Sequence, residues 1–246
     1  MVMRSERNHI LLAATLAASV VAGIAPSLHA RGDESRDKKV KEAASQSAKA
    51  ARAFEAIMQE PEKAIPADVL SQAKAIMVFP QVIKVAFAVG GEGGRGVVSR
   101  HVNGGWSQPI FVRGGGPSVG AQIGASATDF FMLLMTDDSV QGLMKDKFEV
   151  GAEVSAAAGP VGKYHGAGTD ATMQAEILTY SRSHGLFAGA NVKGIVIKPE
   201  NDLNTAVYNK TARELLADDA GADIDAKLAV FPQTLGRYVT PGTDRQ

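Results

Sequence analysis

Two glycine-containing motifs in this chain match loops that bind nucleotides or carry a catalytic nucleophile. Residues 91–96 (GEGGRG) fit G-x-G-x-x-G, and residues 116–120 (GPSVG) fit G-x-S-x-G around Ser118. Both kinds of site need a helix directly after the motif, either to bind the pyrophosphate or to expose the serine. Strand-like sequence follows each motif here. We therefore predict strands at both places and keep a Ser118-centred esterase, with Asp170 and His184, only as an alternative.

The chain offers few residues for a metal site and none for thiol chemistry. The chain has no cysteine and five histidines, and His101, His165 and His184 lack the close spacing of a zinc site. Asp129 lies inside an apolar segment, where a buried carboxylate needs a partner, and we expect a hydrogen bond to a loop backbone. We predict no catalytic residue, no metal and no cofactor.

The basic residues suggest an anion-binding surface. The 26 basic and 26 acidic residues cancel, so no overall field favours nucleic acid, and we predict no nucleic-acid partner. Seven basic residues of the central region fall at predicted strand ends or loops, and together they could form one rim that holds phosphate-bearing headgroups. They are Lys84, Arg95, Arg100, Arg113, Lys163, Arg182 and Lys193.

An amphipathic helix is predicted from about Val40 until Pro61 ends it. Its apolar residues recur at steps of three and four and include Phe54, Ile57 and Met58, and lysines precede it. A basic start with an apolar stripe is typical of a helix that lies in a membrane interface. The stripe would equally suit packing on a sheet with the charges in solvent, and the sequence leaves both interpretations open.

The N-terminus has the features of a secretory signal peptide. Arg4 and Arg7 precede an apolar run over residues 10–24, and Ala30 offers a cleavage site before Arg31. The run is shorter than the ~20 residues of a membrane span, although an uncleaved anchor is the alternative. We predict a signal peptide over residues 1–30, a flexible leader over 31–39, and a periplasmic or secreted protein, either free or peripheral on the membrane.

The remaining elements position these residues. Period-two patterns predict strands through the central region, with a hairpin turn at residues 103–105 (NGG). The continuous apolar run at residues 130–135 (FFMLLM) predicts a strand whose two faces are both buried. Thr211 and Glu214 form a capping box that opens a helix to about Ala217. The predicted fold class is α+β: a bent antiparallel sheet or small barrel flanked by the N-terminal amphipathic helix and two or three short helices.

Six short sequence blocks occur in a fixed order along the chain, and together they are specific enough to indicate a protein family. They are residues 65–80 (IPADVLSQAKAIMVFP), 90–98 (GGEGGRGVV), 105–109 (GWSQP), 120–130 (GAQIGASATDF), 156–162 (AAAGPVG) and 180–189 (YSRSHGLFAG). With these blocks the chain resembles the SYLF-domain family of lipid-binding proteins over about residues 40–217, which leaves residues 218–246 as a C-terminal extension. Tyr208-Asn209 departs from the usual Tyr-Gly, which suggests an altered turn.

The resemblance implies binding to membrane lipids, with phosphoinositides favoured by eukaryotic members, some of which also bind actin. It implies the use of an N-terminal amphipathic helix and basic surface residues. Actin is not expected as a partner of an exported protein, so anionic phospholipid headgroups are the expected ligand. The alternative to this non-enzymatic lipid-binding function is an envelope structural or stress protein that binds another protein.

Overall fold

The computed structural model describes residues 27–103, 105–161, 174–183, 194–218 and 225–239, without the side chains of 27–33, 84–90 and 118–126. Lys163 and Lys193 therefore lie outside the described residues, as do Asp170 and His184 of the esterase alternative. Lys84 is described by its backbone alone.

Two very long strands form the centre of the fold. Strand β1 runs over Ala75–Val102 and strand β3 over Ile110–Leu134. They pair antiparallel from Ala75↔Leu134 to Val98↔Ile110. Proline commonly ends a strand, but β1 continues past Pro80 through a bulge, where Gln81 takes a left-handed φ of 55° and the pairing register shifts.

The ribbon of β1 and β3 curls back on itself. The ring of Phe79 packs directly over Gly96 and Gly114, and Val82 packs over Gly94. A β-carbon at Gly96 would lie 2.5 Å from Cε1 of Phe79. The bend therefore depends on glycine at these close approaches.

Shorter strands complete a curled, mixed sheet that forms a half-barrel. Strand β2 makes the predicted hairpin with the end of β1. Strands β6 and β7 pair with different halves of β3, and β5 pairs parallel with β6 where an antiparallel sheet was expected. The strands are β2 (Gly105–Trp106), β4 (Phe148–Glu149), β5 (Ala156–Ala158), β6 (Ile177–Ser183) and β7 (Val196–Pro199).

Helices cover the sheet. The described residues form α1 (Ser27–Met58), α2 (Ala67–Gln72), α3 (Asp137–Gly142), α4 (Asn201–Tyr208), α5 (Ala212–Ala217) and α6 (Val230–Tyr238). The first helix begins earlier than expected and includes residues 31–39, where Lys38 and Glu34 pair one turn apart. The α+β fold class is confirmed, with more short helices than the two or three expected.

The sheet is buried on both faces, as the apolar run at residues 130–135 predicts. Phe131 and Leu133 face one core cluster together with α1 and α6. Phe130, Met132 and Leu134 face a second cluster that α3 and α5 cover. Alternate residues of one strand thus serve two cores.

The C-terminal helix belongs to the domain. Helix α6 falls in the predicted extension after residue 217, yet Phe231 and Leu235 are fully buried against α1. The hydroxyl of Ser47 donates to the carbonyl oxygen of Leu228 at 2.6 Å. The core therefore extends to about Val239, beyond the boundary that the sequence suggested.

Local turn signals have their expected structures. The predicted capping box is present, with Thr211 as the N-cap of α5 and Glu214 bonding back to it. Asn209, which replaces the usual glycine, ends α4 with a left-handed φ of 55°. Asparagine tolerates that conformation better than most residues, so the turn is preserved.

Candidate functional site

Arg95 and Arg113 meet at one buried carboxylate. The two arginines are cross-strand partners on β1 and β3, and Lys198 of β7 lies opposite Arg113. Arg95 donates two hydrogen bonds to Glu200, from Nε to Oε2 at 3.0 Å and from Nη2 to Oε1. Nη2 of Arg113 donates to the same Oε1 at 2.8 Å. The side chain of Glu200 is only 2% exposed.

Arg95 also ties α1 to the sheet. Its Nη1 donates to Oε1 of Glu42 on that helix. Burial opposes the charge on Glu200, but the hydrogen bonds from Arg95 and Arg113 outweigh it and lower the pKa of Glu200. Burial likewise opposes the charge on Arg95, and its carboxylate bonds raise its pKa. The side chain of Arg95 therefore bonds carboxylates within the protein and links α1 to the sheet.

Arg182 has a comparable internal role at a different place. It lies opposite Asp129 in the pairing of β3 and β6, and it bonds Glu60, just after α1, at 2.6 Å. Asp129 accepts the backbone N–H of Gln81 at 2.8 Å. Asp129 thus bonds a backbone N–H as expected, but at a bulge within β1 and not in a loop, and the bond stabilises the left-handed residue there.

The four predicted arginines, whose side chains are described, form their bonds at three separate places. Arg95 and Arg113 meet at Glu200, Arg182 bonds Glu60 and Asp129, and Nη1 of Arg100 donates to the carbonyl oxygen of Leu216 at 2.6 Å. The helix stripe is likewise internal. Phe54 and Ile57 are at most 1% exposed and Met58 packs beside them, which is the sheet-packing arrangement that the sequence left open.

Of the four predicted arginines, Arg113 alone lines the open groove described next. The groove has a volume of about 760 Å³ and lies beside β7 and the start of α4. Its cations are Arg113, Lys147 and Lys198, the first two with side chains 63% and 58% exposed. Sequence reasoning missed Lys147 and Lys198, although Lys198 ends an alternating strand and so was a candidate for a strand-end charge.

The alternatives find no support in the described residues. Ser118 lies inside β3 and not at a turn from strand to helix, and residues 91–96 lie inside β1. No cluster of metal-binding side chains occurs in the part of the chain that is described. None of the described helices is long and apolar enough to span a membrane.

Comparison with known proteins identifies the domain. Residues 115–237 match the Ysc84 family model, described as Las17-binding protein actin regulator. An SH3 domain-containing protein of Schizosaccharomyces pombe is 37% identical over 66% of this chain and 40% of its own length. LAS seventeen-binding protein 3 of Saccharomyces cerevisiae is 35% identical over 63% of this chain and 35% of its own length. Human SH3 domain-containing YSC84-like protein 1 is 32% identical over 71% of this chain and 52% of its own length.

The chain thus spans about half or less of the length of these relatives, and the name of the Saccharomyces cerevisiae protein describes it as binding LAS seventeen. The matched region includes most of β3, Lys147 and Lys198 of the groove, and all but the last residue of the C-terminal helix, whereas Arg113 lies two residues before it. Together with the six sequence blocks and the curled sheet, these matches show that the chain belongs to the Ysc84 (SYLF-domain) family.

Proposed function

We propose that this protein is exported and binds anionic phospholipid headgroups, without catalysis, through the groove of Arg113, Lys147 and Lys198. The observation that carries the proposal is the convergence of three exposed cations from separate segments on one groove. Arg113 lies on β3, Lys147 just before β4 and Lys198 on β7. A cluster of this kind attracts a negatively charged membrane surface.

The geometry of Arg113 suits a phosphate. Only its Nη2 is bonded to Glu200, and its other N–H groups have no acceptor within the described residues. A guanidinium held along one edge can offer its remaining donors to a phosphate oxygen pair. Lys147 and Lys198 would add point charges on either side, since the Lys147 pair with Glu149 is long, at 3.9 Å, and exposed.

The proposal of a lipid ligand rests on the groove and on the family resemblance. The relatives are named for binding Las17 or for regulating actin, and both of these partners are proteins. A protein partner is therefore the second candidate for this chain. We favour lipid because an exported protein would not meet cytoplasmic actin.

Export itself rests on the sequence of residues 1–30. Arg4 and Arg7, the apolar run and Ala30 follow one another in the order of the charged, apolar and cleavage regions of a signal peptide. When the full chain is expressed in a Gram-negative host, we expect it in the periplasmic fraction with an N-terminus at Arg31. Recovery of uncleaved protein in the cytoplasm would contradict the proposed export.

Vesicle co-sedimentation tests the groove. We would use the chain from Arg31 onward, because residues 10–24 are apolar enough to bind vesicles by themselves. We expect binding to anionic but not neutral vesicles, and we expect it to weaken as salt is raised. Reversing the charge of Lys147 and Lys198 to glutamate should weaken binding at least about tenfold, since each basic residue near the surface contributes ~1 kcal/mol.

A matched variant separates the groove from total charge. Lys49→Glu with Lys227→Glu makes the same change in net charge at exposed positions on α1 and just before α6. This variant should bind nearly as well as the parent protein. Equal weakening by both variants would refute the groove as the site, and absence of binding to anionic vesicles at low salt would refute the lipid function altogether.

A further inference from the structure

A second cleft lies where β1 begins and β3 ends. None of its described lining residues belongs to the groove of Arg113, Lys147 and Lys198 (the headgroup groove). The cleft has a volume of about 540 Å³, within the range of small-molecule sites. Lys74, His101, Thr136 and Gln174 contribute polar side chains, and Ala73 and Met135 contribute apolar surface. No aspartate or glutamate is among the described residues that line it.

The backbone around this cleft is already satisfied. The N–H of Lys74 donates to Leu134, its carbonyl oxygen accepts the N–H of His101, and Met135 donates to Glu176, each at 2.8 Å. These bonds hold the rim of the cleft in place. The groups left to meet a ligand are therefore side chains.

Those side chains are mainly hydrogen-bond donors, and Lys74 carries a positive charge. Lys74 is exposed and forms no ion pair within the described residues. His101 is half-buried, and its ring packs edge-on against the buried Trp106 at 5.2 Å between centroids. An ammonium and an oriented imidazole in a cleft without carboxylates favour an anion, and the scarcity of apolar lining disfavours an acyl chain.

We infer that this cleft binds a phosphate monoester with a small polar substituent, held by Lys74 and His101. The phosphate could belong to a free metabolite or to a phosphomonoester headgroup at a membrane surface. The chemistry of recognition is the same in both cases. The inference does not depend on the headgroup groove, because the two sites share no lining residue.

Amide NMR titration of the full chain with sn-glycerol 3-phosphate tests the free form. We expect saturable shifts at Lys74, His101 and Thr136, with a Kd of about 1 mM or tighter. Lys74→Gln should weaken binding about tenfold, which corresponds to one charge-assisted hydrogen bond. Because Lys74 is exposed, this variant should fold normally.

Lys63→Gln is the matched control, because Lys63 is exposed and pairs with Glu60 away from the cleft. A parallel arm uses vesicles with and without phosphatidic acid. Titratable binding of glycerol 3-phosphate that Lys74→Gln weakens supports a free ligand. Binding only to phosphatidic acid vesicles, lost in Lys74→Gln, supports a headgroup.

No response in either arm, or equal binding by Lys74→Gln and Lys63→Gln, would overturn the inference. The Lys147→Glu, Lys198→Glu variant should leave glycerol 3-phosphate binding unchanged. A failure of the headgroup groove can therefore be told apart from a failure of this cleft.

Discussion

Replacing Phe54 with alanine is expected to lower the free energy of unfolding by about 3–5 kcal/mol, the usual cost of removing a buried phenylalanine. Phe54 is 0% exposed and lies edge-on to Phe131 and Tyr238, at 6.4 and 5.7 Å between ring centroids. The cavity would open where α1, α6 and the sheet meet. Urea denaturation followed by circular dichroism measures the loss.

This experiment also decides what the apolar stripe of α1 does. A stripe that serves as a membrane anchor would give the opposite pattern, with unchanged stability and weaker vesicle binding. Arg52→Ala is the control, because Arg52 is exposed on the same helix and its removal should change stability by no more than ~0.5 kcal/mol. An F54A protein as stable as R52A would show that the stripe is not part of the core.

Adding one methyl group at Gly96 is expected to destabilise the protein by about 1–3 kcal/mol, the usual cost of overpacking a core. The new β-carbon would lie 2.5 and 2.6 Å from two ring carbons of Phe79. Phe79 is 2% exposed within the second core cluster, so its ring has little room to move. Thermal and urea unfolding of G96A measure the effect.

Gly236→Ala is the matched substitution. Gly236 lies in α6, and a β-carbon there would meet nothing within 4 Å. Alanine favours helix over glycine, so G236A should be neutral or more stable by up to ~1 kcal/mol. A Phe79→Leu change should recover part of the loss in G96A, and if G96A were as stable as G236A, the tight bend of the sheet would be refuted.

Local patterns in the sequence predict local structure well here. The hairpin after Val102, the capping box at Thr211 and the α1 stripe each depend on residues a few positions apart. The length of β1 could not be predicted in this way. Proline normally ends a strand, and the strand continues past Pro80 only because Asp129, 48 residues away, accepts the N–H of Gln81.

The candidate site was predictable only in part, for the same reason. Arg95 was predicted to bind lipid, but its side chain bonds Glu42 and Glu200, which lie 53 and 105 residues away in sequence. The sequence offered one signal, because Glu42 and Gln46 lie one turn apart beside the apolar stripe. In the structure, Gln46 is only 8% exposed. Polar residues bordering a buried stripe indicate a partner on the opposing sheet.

The contact between α1 and α6 determines when this domain can become compact. Ser47 bonds Leu228, just before the last helix, and Phe231 within it, across 181 and 184 positions of sequence. A chain emerging from the ribosome makes α1 early and then waits for nearly all of its length before that helix finds its packing surface. A nascent polypeptide that can pack its first helix only at the end of synthesis stays unfolded until then. The proposed export would require this unfolded state, because a translocation channel is narrow.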